Sequence, residues 1–106
     1  MEKSEPVTYT AESAFHALGL PDADDLQLRA DLLRHIAAII KHSGLTQAAA
    51  GKLMGMDQPR VSALISGKIA LFSTDRLLRA LSDLGQDVEL RIVPSAAEKG
   101  CLRIAA

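Results

Sequence analysis

A chain of 106 residues is long enough for one domain with a single hydrophobic core and too short for two. Its net charge of −1 at pH 7 argues against a protein that coats nucleic acid nonspecifically, and its single cysteine excludes an internal disulfide. It has neither a signal-peptide pattern nor an apolar run near the roughly 20 residues that cross a bilayer, so we expect a cytoplasmic protein with no membrane partner.

The N-terminal part of the chain predicts a flexible arm followed by helices. Residues 1–11 show no helical period, so we expect an arm there, with at most a short strand at Val7–Thr10. Ala11–Leu18 favours a short helix, and a long helix follows from Asp22 to about Ser43. The apolar stripe of that long helix consists of Leu28, Leu32, Ile36, Ile39 and Ile40.

Residues 45–68 predict a helix, a tight turn and a second helix. Thr46 is a suitable N-cap for a helix over Gln47–Met54, which ends at Gly55 because glycine adopts the left-handed backbone of a helix end. Asp57 is the N-cap of the next helix, which we expect from Gln58 to about Ser66. Two short helices joined by a glycine-containing turn are typical of a helix-turn-helix.

The second of these helices has a polar outer face. Val61, Leu64 and Ile65 recur at helical spacing and predict its buried face. The predicted outward residues are Gln58, Arg60, Ser62 and Ser66. Because Gln and Arg are the side chains that bind adenine and guanine edges in bidentate fashion, this face favours DNA recognition in a major groove.

The run TQAAAGKLMGMDQPRVSALISGK resembles the helix-turn-helix of lambda-repressor-like (XRE) proteins. It matches their Gln at the start of the first helix, their Met-Gly-Met turn and the Gln that begins the recognition helix. Pro59 departs from the pattern, because such repressors often have a hydrogen-bonding side chain there. The predicted DNA-binding residues are Gln47, Gln58, Arg60, Ser62, Ser66 and Lys68.

The C-terminal part of the chain changes from a helical to an alternating pattern. Ser73 is the expected N-cap of a helix through Leu84, and residues 87–93 alternate apolar and charged side chains, which predicts a strand. A lone strand needs a partner, either a second copy of the chain or Val7–Thr10. Residues 95–106 are expected to form a loosely held tail around Cys101. We therefore predict an all-α domain over residues 12–94, with about five helices and one short strand.

Charge is distributed unevenly along the chain. Residues 1–40 carry three basic and seven acidic side chains, for −4, whereas residues 41–80 carry six basic and two acidic ones, for +4. Positive charge is therefore concentrated on the segment predicted to face phosphate.

No motif for catalysis or metal binding is visible. The three histidines, His16, His35 and His42, have no Cys, His or Asp partners at zinc-binding spacing. Ser62 and Ser66 have no evident His-Asp partners, and the glycines stand at helix ends and do not form a phosphate-binding loop. We therefore expect no enzyme activity and no cofactor.

A wider resemblance covers residues 15–93. The Leu-Gly-Leu-Pro-Asp run, the helix-turn-helix and the Asp-Val-Glu-Leu run occur in the order found in HigA-type antitoxins. This resemblance implies a homodimeric repressor that binds an inverted-repeat operator in double-stranded DNA and neutralises a small, basic, RelE-like mRNA-cleaving toxin. Two alternatives remain: a protein-interaction module that no longer binds DNA, and a ligand-responsive regulator without a toxin, although the chain is too short for a separate ligand domain.

Overall fold

The computed structural model describes residues 23–105, which contain four α-helices. These are α1, Ala23–Ser43; α2, Gln47–Met54; α3, Gln58–Ile65; and α4, Thr74–Asp83, with a 3₁₀ turn at Ile69–Leu71. The predicted all-helical class is confirmed for this part of the chain. The arm over residues 1–11 and the short helix over Ala11–Leu18 lie outside the described residues.

Side-chain caps begin three of the helices at the positions predicted from sequence. The side chain of Thr46 accepts a hydrogen bond from the backbone N–H of Ala49 at 3.0 Å. Asp57 does the same for Arg60 at 3.0 Å, and Ser73 accepts from the N–H of Arg76 at 3.1 Å. Each cap pairs a first-turn amide that has no partner within the helix, so these short polar residues fix where α2, α3 and α4 begin.

The helices enclose one aliphatic core. α1 packs against α3, α4 and the 3₁₀ turn, while α2 packs against α3 and α4. The buried apolar side chains are Leu32, Leu33, Ile36, Ile40, Ala50, Met54, Met56, Val61, Leu64, Phe72, Leu77, Ala80 and Leu81. Ile65 departs from its predicted burial, with 38% of its surface exposed, because it lies at the edge of the stripe that Val61 and Leu64 form.

The strand predicted at residues 87–93 does not form in the single chain. No backbone hydrogen bond joins this segment to any residue between 23 and 105, and Leu90 and Ile92 are 80% and 95% exposed. A strand exists only as part of a ladder, and the described chain places no second strand beside this one. The prediction of a strand is therefore wrong for one isolated copy.

The tail after Ser95 has no regular secondary structure, yet Ile104 packs against the core cluster. The end of the chain is therefore held by an apolar contact that its small-residue composition did not predict. No helix within residues 23–105 is long and apolar enough to cross a membrane.

A close backbone approach at Gly51 sets the distance between α2 and α3. A Cβ placed on Gly51 would lie 2.6 Å from the carbonyl oxygen of Met56 and 3.0 Å from a methyl carbon of Val61. The N–H of Met56 also donates to the Gly51 carbonyl at 2.8 Å. Only a residue without a side chain allows the turn to fold back so closely.

We expect Gly51→Ala to destabilise the protein by about 1–3 kcal/mol, as overpacking of a tight core contact does. Alanine is more favourable than glycine in a helix interior by about 1 kcal/mol. Here the new methyl group would collide with the backbone carbonyl of Met56, which cannot rotate away as a side chain could. Chemical denaturation would measure the change. A stabilised variant would show that the turn yields to the methyl group.

Gly44→Ala is the matched control for this substitution. Gly44 has a positive φ of 76°, but a Cβ placed on it would meet no atom within 4 Å. Its substitution should destabilise by about 1–2 kcal/mol through backbone strain alone, and leave the α2–α3 geometry unchanged.

Candidate nucleic-acid interface

The start of α3 is tied to the start of α2 by a pair of glutamines. Gln58 Nε2 donates to Gln47 Oε1 at 2.6 Å, although the two residues lie eleven positions apart. Gln47 is half-buried and Gln58 is exposed. The hydrogen bond fixes the orientation of the Gln58 amide, whose oxygen and second N–H remain available for the edge of a base.

Arg60, another predicted contact residue, packs on the aromatic ring of Phe72. Its guanidinium carbon lies 5.0 Å from the ring centroid, within cation–π range. Phe72 is almost fully buried at 1% exposure, so the Arg60 side chain lies along the margin between the polar face of α3 and the core.

The remaining predicted contact residues lie along or just beyond α3, and all three are exposed. These are Ser62, Ser66 and Lys68. Ser66 donates its hydroxyl hydrogen to the Ser62 carbonyl at 2.7 Å, so it can offer a phosphate a hydrogen bond only after rotating. Gly67, with a positive φ of 85°, turns the chain out of α3. Lys68 is the next residue and places a positive charge just beyond the end of that helix.

Arg29 of α1 holds the segment that follows α3. Its Nη1 donates to the carbonyl oxygens of Ile69 at 3.2 Å and Phe72 at 3.1 Å. Its Nη2 pairs with Asp25 at 3.0 Å, and Asp25 in turn accepts from the Thr74 hydroxyl at 3.1 Å. One guanidinium therefore connects the long helix to the first residue of the 3₁₀ turn, Ile69, and to the residue that follows the turn, Phe72.

A second arginine connects α4 to the end of α2. Arg76 donates from Nη2 to the carbonyl oxygen of Met54, the last residue of α2. That carbonyl has no partner within its own helix, so the contact acts as a charged C-cap. Arg29 and Arg76 together attach the helix-turn-helix to α1 and α4.

Sequence reasoning missed the roles of Arg29, Phe72 and Arg76. Each of them contacts a residue far away in sequence. Arg29 contacts Ile69 and Phe72, which lie 40 and 43 positions away. Phe72 contacts Arg60, 12 positions away, and Arg76 contacts Met54, 22 positions away. No local period or spacing marks such contacts. The one available signal was Phe72, the single aromatic residue within residues 23–105, where the core is otherwise aliphatic.

Within residues 23–105, no group of three His, Cys, Asp or Glu side chains is placed to hold a metal ion. His35 and His42, both on α1, are exposed. The arrangement around α2 and α3 therefore offers hydrogen-bond donors, acceptors and positive charge, and these are the groups that bind nucleic acid.

Comparison with known proteins shows the family of this chain. A family model described as a helix-turn-helix domain matches residues 14–93, and the chain belongs to that family. A solved structure named as a putative XRE-family transcriptional regulator superposes with a TM-score of 0.71 at 38% identity, covering 81% of this chain and 97% of the other. No curated protein is significantly similar in sequence. The fold is therefore an XRE-like helix-turn-helix.

We expect Arg29→Met to destabilise the protein by about 1–3 kcal/mol, because two carbonyl oxygens lose their donor while the apolar stem is kept. The control is Arg79→Met. Arg79 also pairs with an aspartate four residues earlier, Asp75, but both side chains are more than 70% exposed, at 72% and 76%. The control should change stability by about 0–1 kcal/mol. Equal effects in urea denaturation would contradict a linking role for Arg29.

Proposed function

We propose that this protein is a sequence-specific, DNA-binding transcriptional repressor. The observation that supports this most directly is the exposed polar face of α3, whose Gln58 amide is oriented by Gln47 at 2.6 Å. A helix begun by Asp57 and held against α2 presents its N-terminal residues to the major groove, where base edges are read. The net charge of +4 over residues 41–80 favours approach to phosphate.

The proposed contacts divide into two kinds. Gln58 and Arg60 read bases, with Ser62 on the same exposed face. Gln47, Ser66 and Lys68 flank that face and anchor phosphates, which positions the helix without selecting a sequence. Arg60 must leave the Phe72 ring, 5.0 Å away, or extend from its edge to reach a guanine.

The repressor acts as a homodimer in this proposal. Two copies related by a twofold axis read an inverted repeat whose half-sites lie about 34–36 Å apart, or a multiple of that distance. Support comes from residues 87–93, whose apolar side chains are exposed in the single chain, Ile92 at 95%. A second copy would cover them.

Arg60→Met tests the base-reading role, because methionine keeps the packing on Phe72 and removes every hydrogen-bond donor. We expect the free energy of binding to the matched operator to fall by about 1–3 kcal/mol, and the discrimination at one base pair to relax.

Lys68→Ala should weaken binding to all DNA sequences alike and lower the slope of log K against log salt by about 1. Titrations of matched and scrambled operators at several salt concentrations measure both effects.

Lys99→Ala, in the tail, is the charge-matched control for Lys68→Ala and should leave binding unchanged. Identical behaviour of all three variants would contradict the assignment of α3 as the reading helix. Folded wild-type protein that binds neither operator nor scrambled DNA would indicate instead an interaction module whose helix-turn-helix has lost DNA binding.

A second function, neutralisation of a small basic toxin, is proposed from the HigA-type resemblance and the acidic N-terminal part of the chain. Residues 1–40 have a net charge of −4 and lie outside the helix-turn-helix, which favours contact with a basic RNA-cleaving partner. Asp31 does not contribute to such a surface, because it is only 5% exposed. Asp25 contributes less to such a surface than its sequence position implied, because it is engaged by Arg29 and Thr74.

We therefore expect the product of the adjacent gene to co-purify with this protein. The double variant Asp22→Asn plus Asp24→Asn of this protein should associate with that product more slowly than the wild type does. Charges at the rim of an interface act mainly on the rate of encounter, so dissociation should change little and added salt should remove the difference. Asp83→Asn plus Glu98→Gln is the charge-matched control, because both residues are exposed and lie outside residues 87–93. Absence of a complex would leave a DNA-binding protein without this partner.

A further inference from the structure

The segment Asp87–Val93 exposes several large apolar side chains to solvent. Val88, Leu90 and Ile92 are 41%, 80% and 95% exposed, and no backbone hydrogen bond ties the segment to the rest of residues 23–105. The side chains between them, Glu89 and Arg91, are also exposed. The central residues of this run alternate apolar and charged side chains, and its amides and carbonyls have no backbone partner within residues 23–105. Such a run is suited to pair with another strand.

The order of the charges makes this segment complementary to itself. In an antiparallel pair of identical strands centred on Leu90, Glu89 of each copy lies opposite Arg91 of the other. The same register places Val88 opposite Ile92 and Leu90 opposite Leu90, so both faces match over residues 88–92, and only the end pair, Asp87 opposite Val93, is mixed. Opposite charges and apolar pairs directly across a ladder are both stabilising.

Neighbouring registers lose this match. Centring the pair on Glu89 or on Arg91 places that residue opposite its own copy, and like charges across a ladder repel. A shift of one residue places charged side chains on the apolar face. Pro94, which has no N–H to donate, ends the segment that can pair.

We propose that residues 87–93 of two copies form a twofold antiparallel ladder centred on Leu90, in which the Glu89–Arg91 pairs select the register and the partner. This inference rests on the homodimer proposed above and names the surface and the alignment of its contact. The strand absent from the single chain forms only when the second copy supplies the ladder.

Charge reversal in the full-length protein tests the register. Glu89→Arg alone and Arg91→Glu alone each replace two attractive pairs by two repulsive ones and should weaken dimerisation about tenfold or more. The double variant, Glu89→Arg with Arg91→Glu, should regain wild-type dimerisation. An equimolar mixture of the two single variants should do the same, because in that heterodimer every pair is again opposite in charge. Analytical ultracentrifugation over a concentration series measures each dissociation constant.

Cysteine cross-linking locates the centre of the ladder independently. In a Cys101→Ser background, Leu90→Cys places two thiols opposite each other at a Cα separation of about 4.5–5.5 Å, which a disulfide spans. Val88→Cys and its copy would be offset by four residues, about 13 Å, and should not cross-link. A mixture of Val88→Cys and Ile92→Cys proteins should cross-link, because those two positions face each other.

The outcomes separate this inference from DNA binding. Failure of the double variant to recover, or preferential cross-linking through Val88→Cys alone, would overturn the register. A wild-type protein that stays monomeric yet binds a single half-site would overturn the ladder and leave DNA recognition standing. A monomer that binds no half-site would overturn the proposed function as well. The helical signal in circular dichroism should remain unchanged throughout, since residues 87–93 lie outside the packed core.

Discussion

The close contact between Gly51 and the carbonyl of Met56 determines the geometry on which the rest of the structure depends. The 2.6 Å between that oxygen and a hypothetical Cβ leaves no room for any side chain. Because the turn folds back at that distance, Val61 reaches the core from α3 and becomes fully buried. The orientation of α3, and with it the direction of its polar face, follows from this backbone contact.

The helix-turn-helix is also fixed from outside by charged groups that act on backbone carbonyls. Arg29 donates to two carbonyls of the segment after α3, and Arg76 donates to the last carbonyl of α2. Hydrogen bonds from charged donors are stronger than those between neutral groups. Two short helices of eight residues each would be marginal alone, so these contacts and the shared core give α2 and α3 a definite position.

The surface of α3 is organised by the same packing. Phe72 closes the core beneath α3 and offers its ring to Arg60, while Gln47 orients Gln58 from the neighbouring helix. Because Gln47 holds the Gln58 amide in place, Gln58 loses less conformational entropy on binding than a freely rotating side chain would. The core and the proposed DNA-binding face are therefore physically coupled through Phe72.

Local signals in the sequence determined the starts and ends of α2, α3 and α4, because the caps Thr46, Asp57 and Ser73 act on amides only three residues away. Periodicity likewise determined part of the core, including Leu32, Ile36 and Ile40. It missed Leu33, which is 4% exposed, and it placed Ile65 in the core although 38% of its surface is exposed. Tertiary structure decided what depends on residues distant in sequence: the Arg29 contacts, the Arg60–Phe72 contact and the burial of Gly51. The tertiary structure also shows that residues 87–93 have no strand partner within residues 23–105. The alternation of apolar and charged residues specifies the two faces of a strand, but it cannot supply the neighbouring strand.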